Sequence, residues 1–132
     1  MANATNYLED AVLDHVLGKG ARDFTSPAAL YVGLFTAVAD PEAGTVTEVS
    51  GNGYVREAVT FNTASGGDAT NSGDITWAAA TGGSWGTITH LGVYDAATNG
   101  NLMLVGSLTA SKTVDVGDIF QISDTNLTVS LA

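Results

Sequence analysis

Two histidines and fourteen carboxylates are the groups in this 132-residue chain best suited to hold a metal ion or move a proton, because it has no cysteine. His15 falls on a helix-like stretch and His90 on a strand-like one, without HxH or HxxxH spacing. Zinc needs three or four convergent nitrogen, sulfur or oxygen ligands, so ordinary hydrogen bonding is the role this pair implies. The run Asp68-Ala-Thr-Asn71-Ser-Gly73-Asp74 offers oxygen ligands at loosely calcium-like spacing. It lacks the terminal bidentate acid and the glycine placement of an EF-hand loop. Plain turn chemistry explains the same residues.

Catalytic arrangements are equally absent from the text. Glycoside hydrolysis needs two acids across a cleft, and no pair stands out among acids that fall in turns, a helix start or polar strand faces. Ser-His-Asp catalysis is equally unsupported. Gly51-Asn-Gly53 lacks the rest of a phosphate-binding loop and its lysine. The aromatics Tyr54, Trp77, Trp85 and Tyr94 are of the type that binds sugars or partners; in a small β domain their large area suits core or edge packing. The chain is expected to be non-enzymatic and without a cofactor.

The elements that must position these residues are mostly strands. One helix is expected over residues 6–20, with Asn6 as its cap, Glu9 at the capping-box position and Gly18 and Gly20 closing it. Its apolar residues, Tyr7, Leu8, Ala11, Val12, Leu13, Val16 and Leu17, cover most of the circumference at about 100° per residue. So wide an arc suits either two buried surfaces, one of them a neighbouring subunit, or a helix sunk in its own core. Tyr7, Leu8, Val12 and Val16 are the expected partner interface.

Leu30 to Thr36 is a compact apolar strand, and Asp40 to Gly44 a turn. Thr45 to Val49 and Tyr54 to Phe61 are expected strands; the second alternates, with Val55, Val59 and Phe61 on one face. Glu57 falls on that more apolar face and is expected to be satisfied or edge-exposed. Asn62 to Gly73 reads as a long polar loop, and Asp74 to Trp77 as a short strand. Thr87 to Tyr94 and Leu102 to Leu108 pair around an Asn99-Gly100 turn. Lys112 to Val116, Ile119 to Ile122 and Leu127 to Leu131 complete the sheet. The pattern predicts a mainly β protein, an antiparallel β-sandwich or barrel-like fold with one short N-terminal α-helix, as a single domain over 1–132.

Composition bounds the partners. The net charge is −10, with Lys19, Arg22, Arg56 and Lys112 as the four cations. Four scattered cations make no phosphate-tracking groove, so nucleic acid is disfavoured, and the same charge repels anionic membranes. Only 14% of residues are charged, against about 25% in typical soluble domains. The surface is therefore rich in small neutral side chains that suit packed neighbours as well as water. The first residues, MANATNYLED, lack the basic and apolar regions of a signal peptide, and synthesis and folding in a cytoplasm are expected.

A set of segments also resembles a family of short bacteriophage virion structural proteins, commonly labelled tail-fibre or structural proteins. They are Asn6 to Gly18, Leu30 to Ala37, Thr47 to Arg56, Val59 to Phe61, Trp85 to Ala97 and Gly100 to Leu108, spread over residues 6–108. The resemblance implies a virion protein assembled in the host cytoplasm, with no catalytic or cofactor residues. A capsid decoration (cement or vertex) protein is the first expectation, because neither repeats nor a coiled-coil shaft are visible. Its partners would be the major capsid protein or other virion proteins, and it would form a homo-oligomer. The alternative is a tail-fibre or baseplate component, with a host-glycan-binding tip built from the Asn62–Gly73 and Asp95–Gly100 loops.

Overall fold

The computed structural model describes residues 2–19 and 26–130. The elements run β1 (Ala2–Ala4), α1 (Asn6–Leu17), β2 (Leu30–Asp40), β3 (Thr45–Glu48), β4 (Glu57–Val59), β5 (Asp68–Thr70), β6 (Ile75–Thr76), β7 (Gly86–Tyr94), β8 (Leu102–Val114), β9 (Gln121–Ile122) and β10 (Thr128–Ser130). One eight-stranded sheet has the order β3-β2-β7-β8-β1-β10-β5, with β4 also paired to β2; β6 and β9 form a second, two-stranded sheet. The fold is mainly β and sandwich-like, as the strand pattern predicts.

Its centre is the antiparallel β2-β7-β8 meander, with Val32 opposite Val93 and Leu34 opposite Leu91. Side chains alternate across a strand, so Val32 and Leu34 point to one face while Gly33 and Phe35 point to the other. All four are buried, which is why this strand reads as a nearly continuous apolar run rather than an alternation. The first face carries the main core, where Val32, Leu34, Ile88 and Leu91, with Trp85 just before β7, meet Trp77, Phe120 and Ile122 from the second layer. Edge-on ring pairs reinforce it: Trp77 on Phe120 at 5.4 Å and Tyr54 on Trp85 at 5.5 Å. The opposite face carries a smaller cluster of Phe35, Tyr94 and Val105.

The Asn99-Gly100 turn is present, with φ of 56° and 73° at its two residues. Other segments depart from the sequence reading for identifiable reasons. The pairing of β1 with β10, Ala2 against Val129, is parallel, so the sheet is mixed. β1 itself has too few residues to show a period. Lys112 to Val114 is the end of the 13-residue β8 rather than a new strand. A bulge opposite Thr89, between the Ile88–Lys112 and His90–Ser107 pairs, absorbs the break in alternation. Within the expected 62–73 loop, Asp68–Thr70 pairs with β10 after a turn at Gly66 and Gly67.

Of the expected strand from Tyr54 to Phe61 only Glu57–Val59 is regular, and Val55 is 61% exposed. Glu57 is half-buried opposite Val32, and that burial raises its carboxyl pKa. The helix ends at Gly18, whose φ of 68° is left-handed and readily adopted by glycine; Gly20 lies outside the described residues. Its N-cap is Thr5 rather than Asn6, and no side chain caps the helix there.

Candidate functional site

Helix α1 is anchored at its start, and none of its residues is fully buried. Thr5, 2% exposed, donates its hydroxyl to the Leu102 carbonyl (2.7 Å), and its N–H bonds the Met103 carbonyl at 2.8 Å. The Asn6 N–H is taken by the Glu42 carbonyl at 2.9 Å. Leu8 packs against the cluster of Ala2, Val93, Met103 and Leu104. Beyond these contacts no side chain of the helix is buried.

Of the four side chains expected at an interface, Leu8 and Val12 are half-buried toward the body of the protein, whereas Tyr7 and Val16 face outward. The exposed face gains Leu13 and Leu17. Leu13 is 55%, Val16 72% and Leu17 68% exposed. At about 100° per residue Leu13 and Leu17 fall away from Leu8 and Val12, whereas Val16 continues the Leu8/Val12 stripe by one turn and is itself exposed. The Leu13/Leu17 spacing of four was the signal that could have separated this face from the inward one. Three neighbouring aliphatic side chains without cover differ from the scattered apolar residues found on ordinary surfaces.

A second constellation stiffens the end of the sheet beside the helix. Glu48, at the end of β3, receives Arg56 Nε at 2.9 Å and Nη2 at 2.8 Å, a two-pronged ion pair. Arg56 Nη1 reaches across to the carbonyls of Ala96 (2.9 Å) and Asn99 (2.8 Å) in the β7–β8 hairpin loop. The guanidinium carbon lies 3.4 Å above the Tyr94 ring centroid, within cation–π range. Tyr54 donates its hydroxyl to Glu48 Oε2 at 2.7 Å and accepts the Leu34 N–H at 3.0 Å.

Gly33 makes room for this cluster, because a Cβ there would meet Glu48 Oε2 at 2.8 Å and the Tyr94 ring at 2.9 Å. The electrostatics follow from the packing. Burial, then the hydrogen bond to Glu48, pushes the Tyr54 hydroxyl far above the ordinary phenol range. Burial and the Glu48 charge push Tyr94 up to about 12. For Arg56, burial opposes the charge, but the hydrogen bonds and charge of Glu48 outweigh it and raise the pKa. In the sequence Arg56 stands between Val55 and Glu57, and strand alternation puts it on the face opposite Val55. Its one local cue was an opposite charge across the Ser50-Gly51-Asn52-Gly53 turn.

The groups considered for chemistry are engaged in structure. Asn71, fully buried, donates its side-chain amide to the carbonyls of Gly73 (2.8 Å) and Ser123 (3.1 Å) and accepts the Leu127 N–H (2.8 Å). Asp68 accepts the Ser130 hydroxyl, and Asp74 and Asp124 accept backbone N–H groups of Asp124 and Gly73. His90 Nδ1 is 2.8 Å from the Thr89 hydroxyl. Among the described residues no group of three histidine or acidic side chains could hold a metal ion. Trp77, Trp85 and Tyr94 are buried, and Tyr54 is half-buried against the core, in the packing role expected of them.

The arrangement offers surfaces for protein contact. No curated protein sequence matches the chain. A family model described as podophage GP4 fiber I protein gp80 matches residues 3–130. That span takes in the helix, every strand of the central meander and the arginine cluster, so the chain belongs to this family of phage fibre proteins.

Proposed function

We propose that this protein is a non-enzymatic structural subunit of a phage fibre, and that it assembles into a homo-oligomer or with other virion proteins through the outward face of α1. The observation that carries the reading is the exposed set Leu13, Val16 and Leu17 on a helix whose start is anchored through Thr5. The family's description as a fibre protein supports the fibre setting. Covering three aliphatic side chains contributes roughly 1.5–3 kcal/mol each when burial is complete, enough to drive association between many identical copies.

Capsid decoration is the second reading. It is favoured by the lack of a shaft: the described helix has 12 residues, and the sequence shows no repeat from which a long fibre could be built. In that setting the partner of the helix face is the major capsid protein. A glycan-binding tip has weaker support, since Arg56 already occupies two carbonyls of the 95–100 loop.

Immunogold electron microscopy of intact virions tests the setting, and Val16→Asp with Leu17→Asp tests the surface. Label on fibres at the tail is expected, with the doubly substituted protein folded but absent from particles. Label spread over the head or at its vertices would replace the fibre reading with decoration. Normal incorporation of the folded double variant would remove α1 from the interface.

A further inference from the structure

Two Asn-Gly dipeptides stand in the chain, Asn52-Gly53 and Asn99-Gly100, and both sit in turns with positive φ at each residue. Such a pair is chemically labile, because glycine leaves its backbone nitrogen unhindered toward the side-chain amide before it. At residues 99–100 the fold itself demands the pair. Gly100 has φ of 73°, and a Cβ there would collide with the Asp95 carboxylate and Ala96. Asn99 has φ of 56°, a left-handed value that asparagine tolerates better than most residues.

Reaction needs the asparagine Cγ beside the nitrogen of the next residue. A left-handed residue points its Cβ away from that nitrogen, so the peptide following it must swing round first. Whatever holds that peptide therefore sets the rate. At Asn52 its carbonyl accepts the Thr81 N–H (3.0 Å) and the indole N–H of Trp85 (2.9 Å), and the side-chain amide donates to the Ser84 carbonyl (3.1 Å). At Asn99, among the described residues, the carbonyl accepts Arg56 Nη1 alone (2.8 Å), and the exposed side chain makes no hydrogen bond. One clasp stands where the other turn has three.

We propose that Asn99 is a site of spontaneous deamidation, and that Arg56 governs its rate by holding the carbonyl that must turn. The Gly100 nitrogen attacks Asn99 Cγ. The new N–Cγ bond replaces the Cγ–Nδ2 bond, and Nδ2 leaves as ammonia, taking the proton that Gly100 gives up. Water then opens the cyclic imide. Attack at Cγ leaves an ordinary aspartyl residue; attack at the main-chain carbonyl carbon leaves an isoaspartyl linkage, whose backbone runs through the former side chain and is one carbon longer. Either product adds a negative charge beside the Arg56 contact, and the second also lengthens the β7–β8 hairpin loop. The site lies apart from the α1 face, and its assignment does not depend on whether the protein sits on a fibre or a head.

The test incubates the full chain in mildly alkaline heavy-oxygen water, folded and in urea, and follows both dipeptides by peptide mapping and mass spectrometry. Each event retains one heavy oxygen and is counted by it. Folded protein is expected to convert Asn99 about tenfold faster than Asn52, since two further hydrogen bonds must open at the second site. In urea the two rates should converge. Arg56→Lys, which keeps the charge but loses the planar fork, should speed Asn99 severalfold and leave Asn52 unchanged, and Arg56→Ala should speed it further. Equal or reversed rates in the folded chain would overturn the proposal. So would a folded chain that converts neither site while the chain in urea converts both. An Asn99 rate indifferent to Arg56→Lys would remove the clasp, and parallel acceleration of both sites would replace it with global unfolding.

Discussion

Arg56 lies over Tyr94, its guanidinium carbon 3.4 Å from the ring centroid, and joins strand β3 to the hairpin loop that follows β7. Neither contact is local: Ala96 and Asn99 are 40 and 43 residues away from it in the chain. The arginine side chain is only 9% exposed, so the cluster behaves as a partly buried network rather than as a surface ion pair.

Removing the arginine strands Glu48 and Tyr54 against an apolar wall. Arg56→Ala is expected to destabilise by roughly 3 kcal/mol, because it leaves a poorly solvated carboxylate without its partner. In a chain of this size that lowers the melting temperature by about 10 °C. Arg56→Lys should recover less than half of the loss, since an ammonium cannot span both oxygens and both loop carbonyls. Thermal melts of the two variants beside Glu48→Gln decide the point; an Arg56→Ala loss below about 1 kcal/mol would reduce the cluster to an ordinary surface pair.

Stability should fall on the alkaline side. Free tyrosine ionises near about 10, whereas Tyr94 is held protonated up to about 12 and Tyr54 is raised as well. Between those values the folded state binds more protons than the unfolded one, so folding stability declines as pH rises. The contribution is fully present below about 10 and disappears as pH passes through the folded-state pKa. Melting temperatures measured from pH 8 to 12 should drop across this window and drop less in Tyr94→Phe. Parallel curves for the two proteins would refute the assignment.

The two tryptophans should respond differently to the same substitution. Trp85 Nε1 donates to the Asn52 carbonyl at 2.9 Å, while the buried Trp77 Nε1 has no hydrogen-bond partner. Trp85→Phe leaves an acceptor behind, whereas Trp77→Phe removes an unsatisfied donor of a kind that costs about 1–3 kcal/mol to bury. Both changes open space, so Trp85→Phe should be the more damaging by roughly 1 kcal/mol. Urea titrations give the comparison, and the reverse order would contradict it.

Gly33 is expected to resist replacement although its backbone is ordinary strand. A methyl group there meets the Glu48 carboxylate and the Tyr94 ring at under 3 Å. Gly33→Ala should therefore destabilise by about 1–3 kcal/mol through overpacking. It should also weaken the Arg56 coupling, so Gly33→Ala combined with Arg56→Ala should cost less than the sum of the two. Strict additivity would mean that the glycine and the arginine act independently.

Much of the architecture was legible because strand, turn and helix signals are local. The apolar run at Leu30 to Phe35, the Asn99-Gly100 turn and Gly18 as a helix stop each depend on a few neighbouring side chains and the φ values they allow. The sequence by itself also determined an acidic, cysteine-free, mainly β chain whose helix has more apolar surface than one contact can cover.

Tertiary structure decided which local pieces meet. Whether β1 pairs in parallel with β10, whether Leu8 or Val16 faces the body, and whether Arg56 points to water or to the 95–100 loop all depend on partners tens of residues away. No hydrophobic period encodes such choices. They are settled by which pairings bury the most apolar surface while leaving the fewest polar groups unsatisfied.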